Sequence, residues 1–305
     1  MLQRRSAIGL ALALAFSALA PATFAAEVTH AMGVTSVPDH PLRVVALTNE
    51  ATEDLLALGI VPIGAARSAN SNPWYDHVAA QLADTKVIGE ELAPELEIIA
   101  ALEPDLIIGN KRRHEKIYEQ LSAIAPTVFA ENIQGKWKEN FSLYAEAVGK
   151  ADEGKAVLTA YEDHARKVRE ALGDKTKETV TLVRFLAGQT YVYSNDSFSG
   201  VMIREAGLNR PAVQDREGMA ELITKERIGE LDADRIFYFN YEVGDGGASK
   251  QAEEWMAEPL WRNLAAVKAG HVYPVSDTIW ATAGGIMAAN LALDDVARVY
   301  ELKLQ

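Results

Sequence analysis

The run Glu97-Ile-Ile-Ala-Ala-Leu-Glu-Pro-Asp-Leu-Ile-Ile108 returns as Glu226-Arg-Ile-Gly-Glu-Leu-Asp-Ala-Asp-Arg-Ile-Phe237, at a constant offset of 129 residues with five of twelve positions identical. In each copy apolar residues recur at helical intervals, at Leu96, Ile99 and Leu102 or at Ile228 and Leu231. An acidic turn and a run suited to a buried strand follow. A helix-turn-strand unit used twice reads as two similar α/β halves; one common local pattern occurring twice is the alternative. The distinction matters because two halves that face each other enclose a cleft.

Residues 1–25 read as a targeting leader. Arg4 and Arg5 supply the charged start, Ile8 to Leu19 is apolar, and Thr23-Phe24-Ala25 offers the small residues a signal peptidase reads. The apolar run is short of the ~20 residues that span a bilayer, so export to a periplasm is expected and membrane insertion is not. With no cysteine in 305 residues there is no disulfide framework, no thiolate metal site and no thiol for a lipid anchor. The net charge of −13 deepens by two when Arg4 and Arg5 leave with the leader, which argues against nucleic acid as a partner. An acidic protein that takes an anion has to gather its cations locally.

The length suits two domains. Residues 26–150 alternate strands and helices: Val44-Val45-Ala46-Leu47, a helix from Glu53 to Leu58 stopped by Gly59, a strand at Val61 to Ala65, a helix around Asp76 to Leu82, a strand near Val87, the repeated helix, and Leu106-Ile107-Ile108. That order predicts a parallel sheet, with ligands held beyond the carboxyl ends of its strands. Residues 174–305 repeat the scheme with strands at Val180 to Phe185, Ile236 to Phe239 and Val272 to Val275, and helices at Val201 to Ala206 and Ile286 to Tyr300. Their strand-end loops are read as carrying Arg184, Tyr191, Tyr193, Phe198, Tyr241 and Trp280. Between the halves, residues 151–173 hold one long helix, with Val157, Tyr161, Ala165, Val168 and Leu172 on one face. A single helical connection resists hinge bending, so the lobes should close only slightly on a ligand.

These residues resemble the iron-siderophore periplasmic binding proteins of ABC importers. The resemblance rests on Arg43-Val-Val-Ala-Leu-Thr-Asn-Glu50 with Leu58-Gly59, the Leu96-Glu97 helix running to Pro104-Asp105-Leu106-Ile107, the linker helix, Thr224-Lys-Glu-Arg-Ile228 and Trp280-Ala-Thr-Ala-Gly-Gly285. Trp74-Tyr75-Asp76-His77, Gly109-Asn-Lys-Arg112 and Val183-Arg184-Phe185 resemble the branch that takes citrate-hydroxamate siderophores of the schizokinen and arthrobactin type. The resemblance implies two Rossmann-like lobes with parallel sheets joined by one helix, the helical-backbone (class III) architecture. It further implies a monomeric receptor that hands a ferric siderophore to an inner-membrane permease and its ATPase. A rim glutamate on each lobe then docks on permease arginines, and Glu97 and Glu226 match those positions. The alternative is that both are acidic first-turn residues at helix starts, and Glu95 or Glu221 could replace either.

A ferric hydroxamate or citrate-hydroxamate presents a rim of oxygens and hydrocarbon arms, which suit guanidinium donors and aromatic walls. The candidate donors are Arg67, Lys111, Arg112 and Arg184; the candidate walls are Trp74, Tyr75, Tyr193, Tyr241 and Trp280. A solvated surface charge is the alternative for each cation and is what is expected of Arg113, while Trp280 has a core alternative. Arg184 ends an apolar strand, where a charge needs a partner. The six histidines are scattered, so the protein itself should supply no metal ligand and need no cofactor beyond the ferric ligand. A haem or cobalamin receptor of the same fold is the second reading, and a sensor that binds without transport is a third. Gly149-Lys-Ala-Asp-Glu-Gly154-Lys155 has phosphate-loop spacing, but Ala156 stands where a magnesium-binding hydroxyl belongs, and no Gly-x-Ser-x-Gly elbow occurs. No enzyme is expected.

Overall fold

A computed structural model describes residues 25–133 and 135–304; all but the last residue of the expected leader lies outside them. The first lobe is built on a six-stranded sheet in the order Ala93–Pro94, Lys86–Glu90, Gly64–Arg67, Val44–Ala46, Leu106–Asn110, Thr127–Ala130. All its pairings are parallel except that of the short edge strand Ala93–Pro94. The second lobe holds a five-stranded sheet in the order Ala220–Leu222, Gln189–Tyr193, Val180–Leu186, Arg235–Asn240, Val272–Pro274. Its last three strands are parallel, and the hairpin Val180–Leu186/Gln189–Tyr193 with Ala220–Leu222 adds antiparallel pairing where the sequence pattern predicts a parallel sheet. The cause is local. Leu186 pairs with Gln189, so Ala187-Gly188 is a two-residue turn, and Gly188 takes the positive φ of 71° that such turns require. In the first lobe the strand expected at Val61 to Ala65 lies instead at Gly64–Arg67, where Gly64 admits Leu102 and Ile88 so closely that a Cβ would sit 2.6 and 2.8 Å from them.

The sequence repeat is a structural repeat. Leu96–Ala101 is α-helical and Lys225–Leu231 is a 3-10 helix; each delivers a fully buried isoleucine, Ile99 or Ile228, before its strand. The shared aspartate has one job in both copies. Asp105 accepts the backbone N–H groups of Leu42 and Arg43 at 2.8 and 2.9 Å, and Asp234 accepts the N–H and hydroxyl of Thr179 at 2.7 and 2.9 Å. Each carboxylate thereby ties its turn to the start of the neighbouring parallel strand, Val44–Ala46 or Val180–Leu186.

The helix Ala151–Leu172 runs between the halves, ~33 Å long at the usual rise. It buries Gly154, Tyr161, Ala165, Val168 and Leu172 against Trp137–Ala147 of the first half and against Phe198–Glu205 and Ile286–Val299 of the second. The C-terminal helix Ile286–Val299 also packs on Asn49–Ala57, so a second helix touches both halves. At that contact Glu53 Oε2 accepts the Ala288 N–H at 2.9 Å and Asp54 Oδ1 accepts the Ile286 N–H at 3.3 Å. Two carboxyls from the first lobe thus occupy the positive end of a helix from the second. Gly285 permits the approach: a Cβ there would lie 2.6 Å from Glu53 Cβ and 3.0 Å from the Glu50 carbonyl oxygen. Among the described residues no helix is long and apolar enough to cross a membrane.

Gly285→Ala should destabilise the protein by about 1–3 kcal/mol through overpacking, read as a lower urea midpoint. Its backbone, at φ −100°, suits alanine, so an unchanged midpoint would mean that the helices are not held this close.

Candidate functional site

The carboxyl ends of both sheets' strands open onto one cleft of about 580 Å³, within the usual range for small-molecule sites. Arg67 ends its strand, Arg113 lies on the helical turn Lys111–His114 that follows Leu106–Asn110, and the tip of the hairpin Lys86–Pro94 adds Glu90, Glu91 and Leu92. The second lobe contributes Arg184, Leu186 and Tyr241, with Ala281 and Thr282 from the π-helical turn Thr278–Thr282.

Arg184 is held on three sides. Its Nε and Nη2 donate to the two Asp277 carboxylate oxygens at 2.6 and 2.8 Å, its Nη1 donates to the Tyr193 hydroxyl at 2.8 Å, and its guanidinium lies 4.7 Å from the centre of the Tyr241 ring. Such a fork fixes the plane of the group, which is what bidentate recognition of an oxyanion needs. Arg113 pairs with Glu91, whose Oε1 also accepts the Asn49 side-chain amide at 2.8 Å. His114 fastens the two segments: its Nδ1 accepts the Asn110 N–H at 3.2 Å and its Nε2 donates to the Glu91 carbonyl at 2.7 Å. Only the neutral ring can do both, and burial, reinforced by Arg113, pushes its pKa down to about 4. Arg67 pairs with Glu90 at the more exposed edge.

Beneath the cleft, a cavity of about 20 Å³ is bounded by Glu50, Glu91, Arg113 and Thr282. Burial raises the Glu50 carboxyl to about 8, although the Asn140 amide donates to it at 2.6 Å. Burial likewise raises Asp54, and Glu50 adds to the shift. Glu50, Glu53 and Asp54 all lie on the buried face of Asn49–Ala57, a helix capped by Thr48 Oγ1, which accepts the Ala51 N–H at 3.1 Å. Among the described residues no group of three or more His, Cys, Asp or Glu is arranged to hold a metal ion.

Of the residues read from sequence, the structure brings Arg67, Arg184 and Tyr241 to the cleft, with Tyr193 directly behind Arg184. Other residues are placed differently from the expectation. Trp280 is fully buried, stacked 4.9 Å from Phe237 and donating to Asp295, because the π-helical turn points it inward while Ala281 and Thr282 face the cleft. Trp74 and Tyr75 join the core, Tyr75 stacked on His77. Lys111 turns to Glu131, 3.1 Å away, and Arg112 is exposed. Arg113, read as a solvated charge, is the cation of that segment that lines the cleft. The turn begins directly after Asn110, and helical rotation of about 100° per residue points side chains two apart in nearly opposite directions. Arg184, Tyr191 and Tyr193 lie within strands and not in loops, and Phe198 is buried at a helix start. Glu97 and Glu226 are both exposed in the first turns of their equivalent helices.

Residues 44–277 match the sequence profile of the periplasmic binding proteins, and the chain belongs to that family. The probable siderophore-binding lipoprotein YfiY of Bacillus subtilis (strain 168) is 47% identical over 290 residues, covering 90% of this chain and 87% of the relative. The achromobactin-binding periplasmic protein of Dickeya dadantii (strain 3937) is 31% identical over 265 residues, covering 85% of this chain and 86% of the relative. Among solved structures, Staphylococcus aureus SirA complexed with staphyloferrin B aligns with a TM-score of 0.86 at 32% identity, over 92% of this chain and 100% of that one. These are binding proteins and not enzymes.

The folded protein holds on Glu50 a proton that the unfolded chain, with a carboxyl near 4.5, releases. This contribution is complete below about pH 4.5 and is lost as pH rises toward about 8. Glu50→Gln keeps an acceptor for Asn140 and removes the titration. Its stability relative to wild type should therefore rise between pH 5 and pH 8 by on the order of a few kcal/mol in urea unfolding. A difference independent of pH would contradict the burial account.

Proposed function

We propose that the protein binds a ferric siderophore, of hydroxamate or citrate-hydroxamate type, in the interlobe cleft and delivers it to an inner-membrane ABC permease and its ATPase. The carrying observation is that guanidinium groups from opposite lobes, Arg113 and Arg184, line one cavity beside the Tyr241 face. Relatives named for siderophores support the ligand class. In this reading residues 26–150 and 174–305 act as lobes about the helix of residues 151–173. The leader sends a monomer to the periplasm, and the siderophore supplies every iron ligand. A haem or cobalamin receptor fits less well, because Trp74, Tyr75 and Trp280 are packed in the core and not offered to a flat macrocycle.

The first test is intrinsic fluorescence quenching with ferric schizokinen, ferric aerobactin, ferrichrome, ferrioxamine, ferric citrate, a ferric catecholate, haem and cobalamin. Tight binding is expected for a hydroxamate-bearing chelate, with a loss of about tenfold or more in Arg113→Gln; binding of haem or cobalamin alone overturns the proposal. For delivery, the exposed Glu97 and Glu226 are the proposed docking residues. Replacing both with alanine should abolish uptake of the ferric chelate in cells while leaving Kd unchanged, and persistent uptake would remove that role.

A further inference from the structure

Each cation of the cleft already faces a carboxylate: Arg67 meets Glu90, Arg113 meets Glu91 and Arg184 meets Asp277. Asp277, with 10% of its side chain exposed, lies under Arg184 and orients it. Glu90 and Glu91 differ, because both come from the hairpin tip whose turn is Glu91-Leu92, reaching across to cations on neighbouring segments. Glu91 is not a mobile side chain that met an arginine by chance. Its carboxylate takes donors from Asn49, its carbonyl is held by His114, and only 13% of its side chain is exposed. A carboxylate held this firmly subtracts from the field that a ligand feels, with little screening by solvent.

We infer that Glu90 and Glu91 form a built-in charge filter, which tunes the cleft toward ferric chelates of low net negative charge and against polyanionic ones. The inference rests on the ferric-chelate reading above and narrows it. The charge on the chelate follows from its donors. Three hydroxamates neutralise ferric iron, a hydroxycarboxylate in place of one hydroxamate leaves a single negative charge, and three catecholates leave three. A cleft with as many carboxylates as guanidiniums holds the first two kinds by hydrogen bonds and ring contact. It gives the third no net attraction to offset the loss of its hydration.

The test is Glu91→Gln, which keeps the oxygen that accepts from Asn49, with Glu90→Gln as a second variant at the more exposed pair. Kd values for wild type and variants are measured with a ferric trihydroxamate, a ferric citrate-dihydroxamate and a ferric tris-catecholate. The ratio of wild-type to variant Kd is compared chelate by chelate, so that differences in shape cancel. With one charge removed at ~8 Å in an effective dielectric of roughly 40, affinity should rise about fivefold per negative charge on the chelate. The ratio is then near one for the neutral chelate, about five for the monoanion and on the order of a hundred for the trianion, shrinking with added salt. Glu90→Gln should show the same order with smaller steps. Ratios that do not climb with chelate charge, or that fall below one, overturn the filter while the ferric-chelate reading stands. Failure of wild type to bind any of the three overturns that reading and the filter with it.

Discussion

The contact of Glu53 and Asp54 with the first turn of Ile286–Val299 sets the geometry on which the cleft depends. A helix N-terminus carries unpaired N–H groups and a partial positive charge, so a buried one demands an acceptor. Here the acceptors come from Asn49–Ala57, in the other half of the chain, and the absence of a side chain at Gly285 lets the two helices touch. With Ala151–Leu172 packed along both halves, the relative position of the sheets is fixed by two helices and not by a flexible strand. The strand ends that carry Arg67 and Arg184, and the helical turn that carries Arg113, inherit that position.

The same acidic helix carries a tension that the fold resolves by proton uptake. Three carboxyls on one buried face cannot all stay ionised in a low dielectric, and Glu50 and Asp54 are accordingly raised. Above them the cations of the cleft are balanced one for one by Glu90, Glu91 and Asp277. An acidic protein therefore presents oriented guanidinium donors without a strongly positive cleft. Recognition then depends on hydrogen-bond geometry and ring contact more than on long-range attraction.

Much of this was legible in the sequence, for reasons of period and burial. The linker helix was readable because its apolar face repeats over many turns, and the repeated helix-turn-strand unit because each copy has to bury an isoleucine, Ile99 or Ile228, ahead of its strand. A charge on an apolar strand requires a partner, and for Arg184 the fold itself supplies one in Asp277. Less was legible where the backbone rotates within a few residues. At Lys111–His114 the run Lys-Arg-Arg offers three similar cations, and only the helical turn, locked by the buried His114, determines that Arg113 faces the cleft. At Thr278–Thr282 the π-helical turn buries Trp280 and leaves its small neighbours on the wall. The carboxylates of the hairpin tip gave no signal, since they come from a turn far from the cations they meet.

The most direct measurement is an anomalous-difference map at the iron edge from crystals grown with a ferric hydroxamate or citrate-hydroxamate. One iron peak is expected in the interlobe cleft, with chelate oxygens in hydrogen-bond reach of Arg113 and Arg184 and no protein atom ligating the metal. An iron peak outside the cleft, or one coordinated by protein side chains, would contradict it.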